Sequence, residues 1–207
     1  LSWLGKCNRA QAGHSMHLIF RFAPEVDPEA ILKLKVEINT REHHSLYGTK
    51  TYPFEVNSRW HRASTEIASF EPEELFGTKL RALLQRRKNR DLFDLYEGLR
   101  QLSMNTDKLI ACFAHYLAIE GNAITRAVAE QRMLEKLGRS LTEDVAPLLP
   151  AGISFTDNDA IDAFNMVWTE LVARIEGDPW KLTSKVVDEL RQKRHPNLLG
   201  GGSASPE

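Results

Sequence analysis

The period of the hydrophobic residues changes near residue 70, and this change constrains the fold more than any other feature of the sequence. Before it, apolar residues come in short runs, and after Ile31 residues 32–38 alternate strictly between apolar and charged positions. Such alternation is typical of a strand that buries one face, and that face carries Leu32, Leu34, Val36 and Ile38. Residues 17–22 and 52–56 are further strand candidates, so the sequence predicts a small antiparallel sheet.

Beyond residue 70 the apolar residues recur at the spacing of amphipathic helices. The pattern predicts helices over residues 72–88, 91–102, 106–119, 123–137, 156–176 and 178–195. A capping box from Ser140 to Glu143 predicts one additional short helix. We therefore predict an α+β fold, with a small antiparallel sheet in residues 1–70, a helical domain over 71–196 and a disordered tail over 197–207.

The charge balance and the cysteine count exclude several classes of protein. Lys and Arg number 27 against 28 Asp and Glu, so any contact with nucleic acid must come from a local basic patch. Cys7 and Cys112 are too few for a disulfide framework, and neither belongs to the paired spacing of a structural zinc site. No apolar run approaches the roughly 20 residues of a membrane span, and no signal-peptide pattern opens the chain. We expect a cytoplasmic protein with no membrane partner.

The stretch from residue 79 to residue 90 contains no acid and six cations: Lys79, Arg81, Arg86, Arg87, Lys88 and Arg90. Lys79 lies within the apolar stripe of its predicted helix, one turn from both Leu75 and Leu83. A lysine in that position either extends its amine out to solvent, beside Glu74 or Glu37, or binds an anion such as a phosphate.

Two aspartates follow the basic stretch. Asn89 is expected to end one helix, which places Asp91 in the first turn of the next helix and Asp94 on the same face. Acids at that point favour the helix dipole and can pair with Arg87 or Arg90. Alternatively, one aspartate orients a lysine or acts as a base.

Glu37 shares a strand face with Lys33 and Lys35, where the three can form a solvated charged face. Alternatively, Glu37 points into a cleft and helps to hold a divalent metal, because carboxylates suit magnesium. Trp60, which is surrounded by basic residues, either stacks on a nucleic-acid base or packs under a loop.

Three segments together resemble the AbiEii/AbiGii toxin family of nucleotidyltransferases. They are residues 32–39 (LKLKVEIN), residues 74–83 (ELFGTKLRAL) and residues 85–95 (QRRKNRDLFDL), and the resemblance extends over roughly residues 15–190. It implies the head of a DNA-polymerase-β-like nucleotidyltransferase followed by a helical body. Such proteins are toxins of bacterial toxin–antitoxin or phage-defence pairs that use magnesium and a nucleoside triphosphate, in some members with tRNA as acceptor.

The resemblance also implies roles for individual residues. Lys79 would contact phosphate, Asp91 would be the essential carboxylate, and Glu37 would lie beside the metal. The candidate substrate-binding cations are Lys35, Arg86, Arg87, Lys88 and Arg90. A cognate antitoxin, a nucleoside triphosphate and an RNA are the implied partners.

The first motif of the family is not found. A Gly-Ser turn and an Asp-x-Asp pair are expected before residue 32, yet residues 1–14 contain neither a Gly-Ser turn nor any acid. We therefore expect either a chain truncated at Leu1 or a degenerate member, and we expect the chain to be inactive alone. The alternative function is a non-catalytic module that binds an antitoxin or RNA.

Overall fold

The computed structural model describes residues 4–13, 15–40 and 44–200, and it confirms the α+β class. Within this described part, five strands precede six α-helices along the chain. The contacts divide the chain into two units, Leu1–Ser45 and Leu46–Glu207. The second unit contains all six helices together with the last two strands.

The first unit is built on a three-stranded antiparallel sheet with the order β1 (Asn8–Ala12), β2 (Ser15–Phe22) and β3 (Leu32–Asn39). Both strands predicted in this region, β2 and β3, are confirmed. The sequence did not predict β1, because its residues (NRAQA) show no apolar alternation.

The alternation in β3 correctly predicted which side chains share a face, but it did not predict how exposed that face is. Val36 is in register with Leu18 and Leu34 with Phe20, so the apolar face extends onto β2. Even so, the four apolar side chains of β3 remain 40–47% exposed within the described structure, and the expected buried face is wrong for this strand. Alternation fixes which side chains share a face, whereas burial needs a second layer that the pattern of one strand does not specify.

The second unit begins with a hairpin of β4 (Thr49–Asn57) and β5 (Arg62–Phe70). The predicted strand at residues 52–56 is therefore part of a longer one, with Pro53 in register with Glu66. A two-stranded sheet leaves each strand an outer edge, which accommodates a proline that cannot donate a hydrogen bond. The sequence missed β5 because small and polar residues dominate it.

The helices of the second unit are α1 (Pro72–Gln85), α2 (Arg90–Gln101), α3 (Thr106–Ile119), α4 (Arg126–Lys136), α5 (Asp157–Glu170) and α6 (Thr183–Lys193). Their apolar stripes meet in one core, in which Leu80, Leu92 and Phe164 are fully buried. None of the helices described is long and apolar enough to cross a membrane.

Of the helix starts predicted at Thr156 and at Ser140, the structure has the first but not the second. Thr156 and Asp159 form the reciprocal capping box that starts α5. At the other predicted box, the hydroxyl of Ser140 accepts hydrogen bonds from the backbone of Thr142 and Glu143, but only turns follow before the short 3-10 helix Ala146–Leu148. The predicted helix at this box is therefore wrong, because capping bonds also stabilise an isolated turn.

The end of the described chain is a 3-10 turn, Leu198–Gly200, with Leu198 fully buried. The remaining residues of the predicted disordered tail, 201–207, lie outside the described residues.

Two glycines allow α1 to approach its neighbours closely. A Cβ atom on Gly77 would lie 2.7 Å from the Cβ of Cys112 on α3. A Cβ atom on Gly98 of α2 would lie 2.2 Å from the ring of Phe76. Because these contacts leave no room for a side chain, α1 packs directly on α3 and α2, and the polar face of α1 lies beside the start of α2.

Glu74 joins α1 to the segment before β4. It is fully buried, and its carboxylate accepts hydrogen bonds from the backbone N–H groups of Leu46 and Tyr47 at 2.7 and 2.9 Å. The hydroxyl of Tyr116 donates a third hydrogen bond at 2.5 Å. A buried carboxylate with three donors stabilises the contact between these segments, because its charge is compensated by the hydrogen bonds.

We predict that Glu74→Ala lowers the free energy of unfolding by about 3 kcal/mol, since one buried and two partly buried donors lose their acceptor. Urea denaturation measures this loss. The matched control is Glu189→Ala, an exposed glutamate of α6 whose removal should cost less than about 0.5 kcal/mol. Equal losses in the two variants would contradict the stabilising role of Glu74.

Candidate functional site

The loop between α1 and α2 is fixed by residues that follow α4. The backbone N–H of Asn89 donates to the carboxylate of Asp144 at 3.0 and 3.3 Å, and its side-chain amide donates to the carbonyl of Ser140 at 3.0 Å. Helix α2 therefore starts at Arg90, and Asp91 lies in its first turn, as predicted.

Asp91 is a buried carboxylate with one unsatisfied oxygen. The residue is only 2% exposed, and its Oδ1 lies 3.7 Å from the Nζ of Lys79. Its Oδ2 is buried and has no hydrogen-bond partner among the described residues. A buried acceptor without a donor costs free energy, and groups of this kind call for an explanation such as a catalytic role.

Lys79 pairs with two carboxylates from α2. Its Nζ donates to Asp94 Oδ2 at 2.5 Å, which is closer than its contact with Asp91. Glu74 or Glu37 was predicted as the acid beside Lys79, and for Glu74 this is wrong, because its carboxylate accepts hydrogen bonds from Leu46, Tyr47 and Tyr116. An ion pair between Asp94 and Arg90 was also expected, but in the structure the carboxylate of Asp94 pairs with Lys79.

The Lys79 amine opens onto a shallow groove between α1 and α2. The side chain of Lys79 is 35% exposed, and that of Asp94 is exposed to a similar degree. The groove has a volume of about 360 Å³, and its lining includes Phe76, Gly98 and Leu102. The charged groups that line the groove are the ammonium of Lys79 and the carboxylates of Asp94 and Glu97. Asp91 is buried beside Lys79.

Lys136, the last residue of α4, lies on the other side of the loop. Its Nζ donates to the backbone carbonyls of Arg86 and Lys88 at 2.8 and 3.2 Å. Burial lowers the pKa of Lys136 from its ordinary value, and the carboxylates of Asp91 and Asp144 oppose that shift. The charge of Asp91 is therefore offset by two lysines, Lys79 and Lys136.

The remaining cations of the basic stretch differ in whether they are already paired with an acid. Arg81 pairs with Glu120 at 3.2 Å. Four cations, three in the loop and one at the start of α2, are exposed and make no ion pair with the described residues: Arg86, Arg87, Lys88 and Arg90. They can therefore bind an external anion without breaking an existing pair.

A larger cleft, with a volume of about 540 Å³, lies between the same loop and α4. Arg86 and Arg87 line it together with Arg132, Lys136 and Arg139. The last three residues were not predicted from the sequence. Their spacing of four and then three residues places them on one side of α4 and could have drawn attention to them.

The two candidate residues on β3, Lys35 and Glu37, lie in the first unit. Lys35 and Glu37 point to the same face and form an ion pair, and the Nε2 of His17 lies 3.4 Å from the Glu37 carboxylate. No group of three or more His, Cys, Asp or Glu side chains among the described residues has the geometry of a metal site. Glu37 alone does not make a magnesium site, since magnesium prefers six oxygen ligands in octahedral geometry.

Trp60 lies in the turn of the β4–β5 hairpin and is 80% exposed. It does not pack under a loop, and the guanidinium of Arg59 lies 4.0 Å from the centre of its ring. The hydroxyl of Ser58 accepts hydrogen bonds from the backbone of Trp60 and His61, so these bonds order the backbone of the turn.

Comparison with protein families shows a match over most of the chain. The model described as nucleotidyl transferase AbiEii toxin, type IV toxin–antitoxin system, matches residues 5–179. Comparison with curated proteins and with solved structures gave no match. The matched range includes β3, the pair of Lys79 and Asp91, and both sides of the larger cleft.

Proposed function

Because the chain belongs to the AbiEii family of nucleotidyl transferase toxins of type IV toxin–antitoxin systems, we propose that it transfers a nucleotide from a nucleoside triphosphate to an RNA acceptor such as tRNA. The observation that carries the proposal is the pair of Lys79 and Asp91, where a partly exposed ammonium lies 3.7 Å from a buried carboxylate. Both residues belong to segments whose sequences resemble this family.

In the proposed reaction, a hydroxyl oxygen of the RNA attacks the α-phosphorus of the triphosphate. The bond from the α-phosphorus to its bridging oxygen breaks, pyrophosphate leaves, and the hydroxyl proton passes to a base. Transfer of this type depends mostly on positioning and on neutralising charge. Lys79 neutralises phosphate charge, and Asp91 accepts the proton or orients Lys79.

The contact between Lys79 and Asp94 sets a condition on this mechanism. The ammonium has three donors, and one of them is used in the 2.5 Å contact with Asp94. A phosphate entering the groove competes with the Asp94 carboxylate for the same ammonium. Because both side chains are partly exposed, this exchange costs less than it would for a buried pair.

The cations that follow α1, Arg86, Arg87, Lys88 and Arg90, would hold phosphates of the RNA acceptor. We also propose Lys35, on β3 of the first unit, as a substrate-binding residue. Magnesium would accompany the triphosphate. Glu37 offers one carboxylate for it, so the described residues do not fit a complete magnesium site and no step is assigned to the metal.

The proposal includes the biological setting. The protein acts in the cytoplasm, where nucleoside triphosphates and tRNA occur, and a cognate antitoxin opposes it. Residues 1–14 contain no carboxylate pair for the nucleotide, so we propose that transfer needs a first motif that these 207 residues lack and that they are inactive by themselves. The same observation favours a second candidate, a non-catalytic module that binds RNA or an antitoxin.

The test is a transfer assay. The complete gene product is incubated with total tRNA, magnesium and each ribonucleoside triphosphate in turn, labelled at the α-phosphorus. We predict that label from at least one triphosphate enters RNA. The 207-residue chain serves as the comparison and should incorporate none. Binding of tRNA by the gene product without any incorporation would instead support the non-catalytic module.

A further inference from the structure

The larger cleft of the second unit is lined by five cations from two parts of the chain. We call it the basic cleft and define it by Arg86, Arg87, Arg132, Lys136 and Arg139. The first two belong to the α1–α2 loop, and the others belong to α4 and the residues that follow it. Its only acidic lining residue among those described is Glu135, which is exposed and accepts a hydrogen bond from Gln131 at 3.0 Å.

Most of the positive charge in the basic cleft is not compensated. Arg86, Arg87 and Arg139 are exposed and make no ion pair with the residues that the structure describes. Like charges gathered in a concave surface repel one another, and the lining walls strengthen the field inside it. An anion with several negative charges would remove that repulsion, so the cleft is better suited to a polyanion than to solvent.

Two of the five cations hold the cleft in shape. Lys136 donates to the carbonyls of Arg86 and Lys88, and the guanidinium of Arg132 donates to the carbonyl of Leu84 at 3.1 Å. These three hydrogen bonds fix the end of α1 and the loop against α4. The guanidinium groups of the loop are therefore brought to the cleft before a ligand arrives, which lowers the ordering cost of binding.

We propose that the basic cleft binds the phosphodiester backbone of an RNA strand. This rests on the proposed function in so far as the RNA is the acceptor. The site differs from the groove at Lys79, where the triphosphate would bind. Guanidinium groups match phosphate oxygens in a bidentate geometry, which makes arginine the suitable residue type.

The size and the lining residues of the basic cleft favour an RNA strand over a single nucleoside triphosphate as its ligand. Arg132 and Arg139 are seven residues apart, so at 1.5 Å per helical residue they span about 10 Å, although Arg139 lies just beyond the helix. No aromatic side chain lines the cleft in the described structure, so nothing there would stack on a base. Contacts to phosphates without contacts to bases position a nucleic acid and do not read its sequence.

The test measures the binding of a fluorescein-labelled, single-stranded oligouridylate to the 207-residue chain by fluorescence anisotropy across a salt series. On single strands each phosphate contact contributes a slope of about 0.7 in log affinity against log salt. At about 0.1 M salt, one lost contact therefore weakens binding about fivefold. We expect Arg139→Gln to lose about fivefold, and Arg132→Gln combined with Arg139→Gln to lose about 25-fold.

The control is the pair Lys181→Gln and Lys185→Gln, which removes the same charge from exposed residues outside the cleft. It should change affinity less than about twofold. Equal losses in the control and the cleft variants would overturn the proposal, because bulk charge would then explain binding. Arg139→Gln keeps the test valid even if Arg132→Gln unfolds the chain, since Arg139 makes no side-chain hydrogen bond with the described residues.

A second arm distinguishes the two sources of phosphate. ATP affinity is measured for wild type and Arg139→Gln, and we expect it to be unchanged. A loss of ATP affinity with unchanged RNA affinity would assign the cleft to the triphosphate and overturn the proposal. Absence of oligouridylate binding by the wild-type chain would overturn it as well. Neither readout depends on nucleotide transfer, so failure of the proposed function would be seen separately in the transfer assay.

Discussion

Replacing Asp91 by asparagine should lower nucleotide transfer by about 10²- to 10⁴-fold, the range typical for loss of a positioned general base. The substitution keeps the shape of the side chain and removes its charge. Transfer of α-label into tRNA measures the loss. Because Asp91 is buried and lies 3.7 Å from the ammonium of Lys79, we also expect a stability loss of about 1–3 kcal/mol in urea denaturation.

Asp94→Asn is the matched comparison, since Asp94 lies on the same face of α2 and contacts the same lysine. Its side chain is partly exposed, so we expect a stability change of less than about 1 kcal/mol. Transfer should fall much less than in Asp91→Asn, because phosphate displaces Asp94 from Lys79 in the proposed mechanism. If Asp94→Asn is inactive and Asp91→Asn is active, the assignment of the essential carboxylate to Asp91 is wrong.

Lys79→Ala should lower transfer by at least about 10²-fold, comparable to removing one preorganised donor from a developing charge. It should also abolish toxicity when the complete gene product is expressed in bacteria. The fold should remain, because Lys136 still compensates the buried charge of Asp91; a thermal melt checks this.

The control for Lys79→Ala is Lys185→Ala, which removes an exposed lysine of α6 and should leave transfer and toxicity unchanged. A folded Lys79→Ala variant that remains toxic and active would remove Lys79 from the site. An unfolded variant would show that the lysine mainly stabilises the contact between α1 and α2, which would also contradict the assignment.

Periodicity predicted the part of the structure that local sequence controls. The apolar face of β3 and the first-turn position of Asp91 follow from residues within a few positions of one another. In contrast, β5 was missed because a strand of small and polar residues is specified by its partner and not by its own pattern.

The partners within the site were not predictable, because they depend on how helices pack. Lys79 was expected beside Glu74 or Glu37, but the close contact of Gly98 with Phe76 brings α2 to α1 and places Asp94 at the ammonium. Arg132 is distant in sequence from Arg87, and only the fold brings both to one cleft. The burial of Asp91 follows from the same packing of the helices.

The most direct test of the account compares two forms of the triphosphate that the gene product accepts, one labelled at the α-phosphorus and one at the γ-phosphorus. Nucleotide transfer predicts that α-label enters tRNA while γ-label leaves as pyrophosphate. In Asp91→Asn, the entry of α-label into tRNA and the release of γ-label as pyrophosphate should be lost together. Entry of γ-label into RNA, or α-label transfer that survives undiminished in Asp91→Asn, would contradict the account.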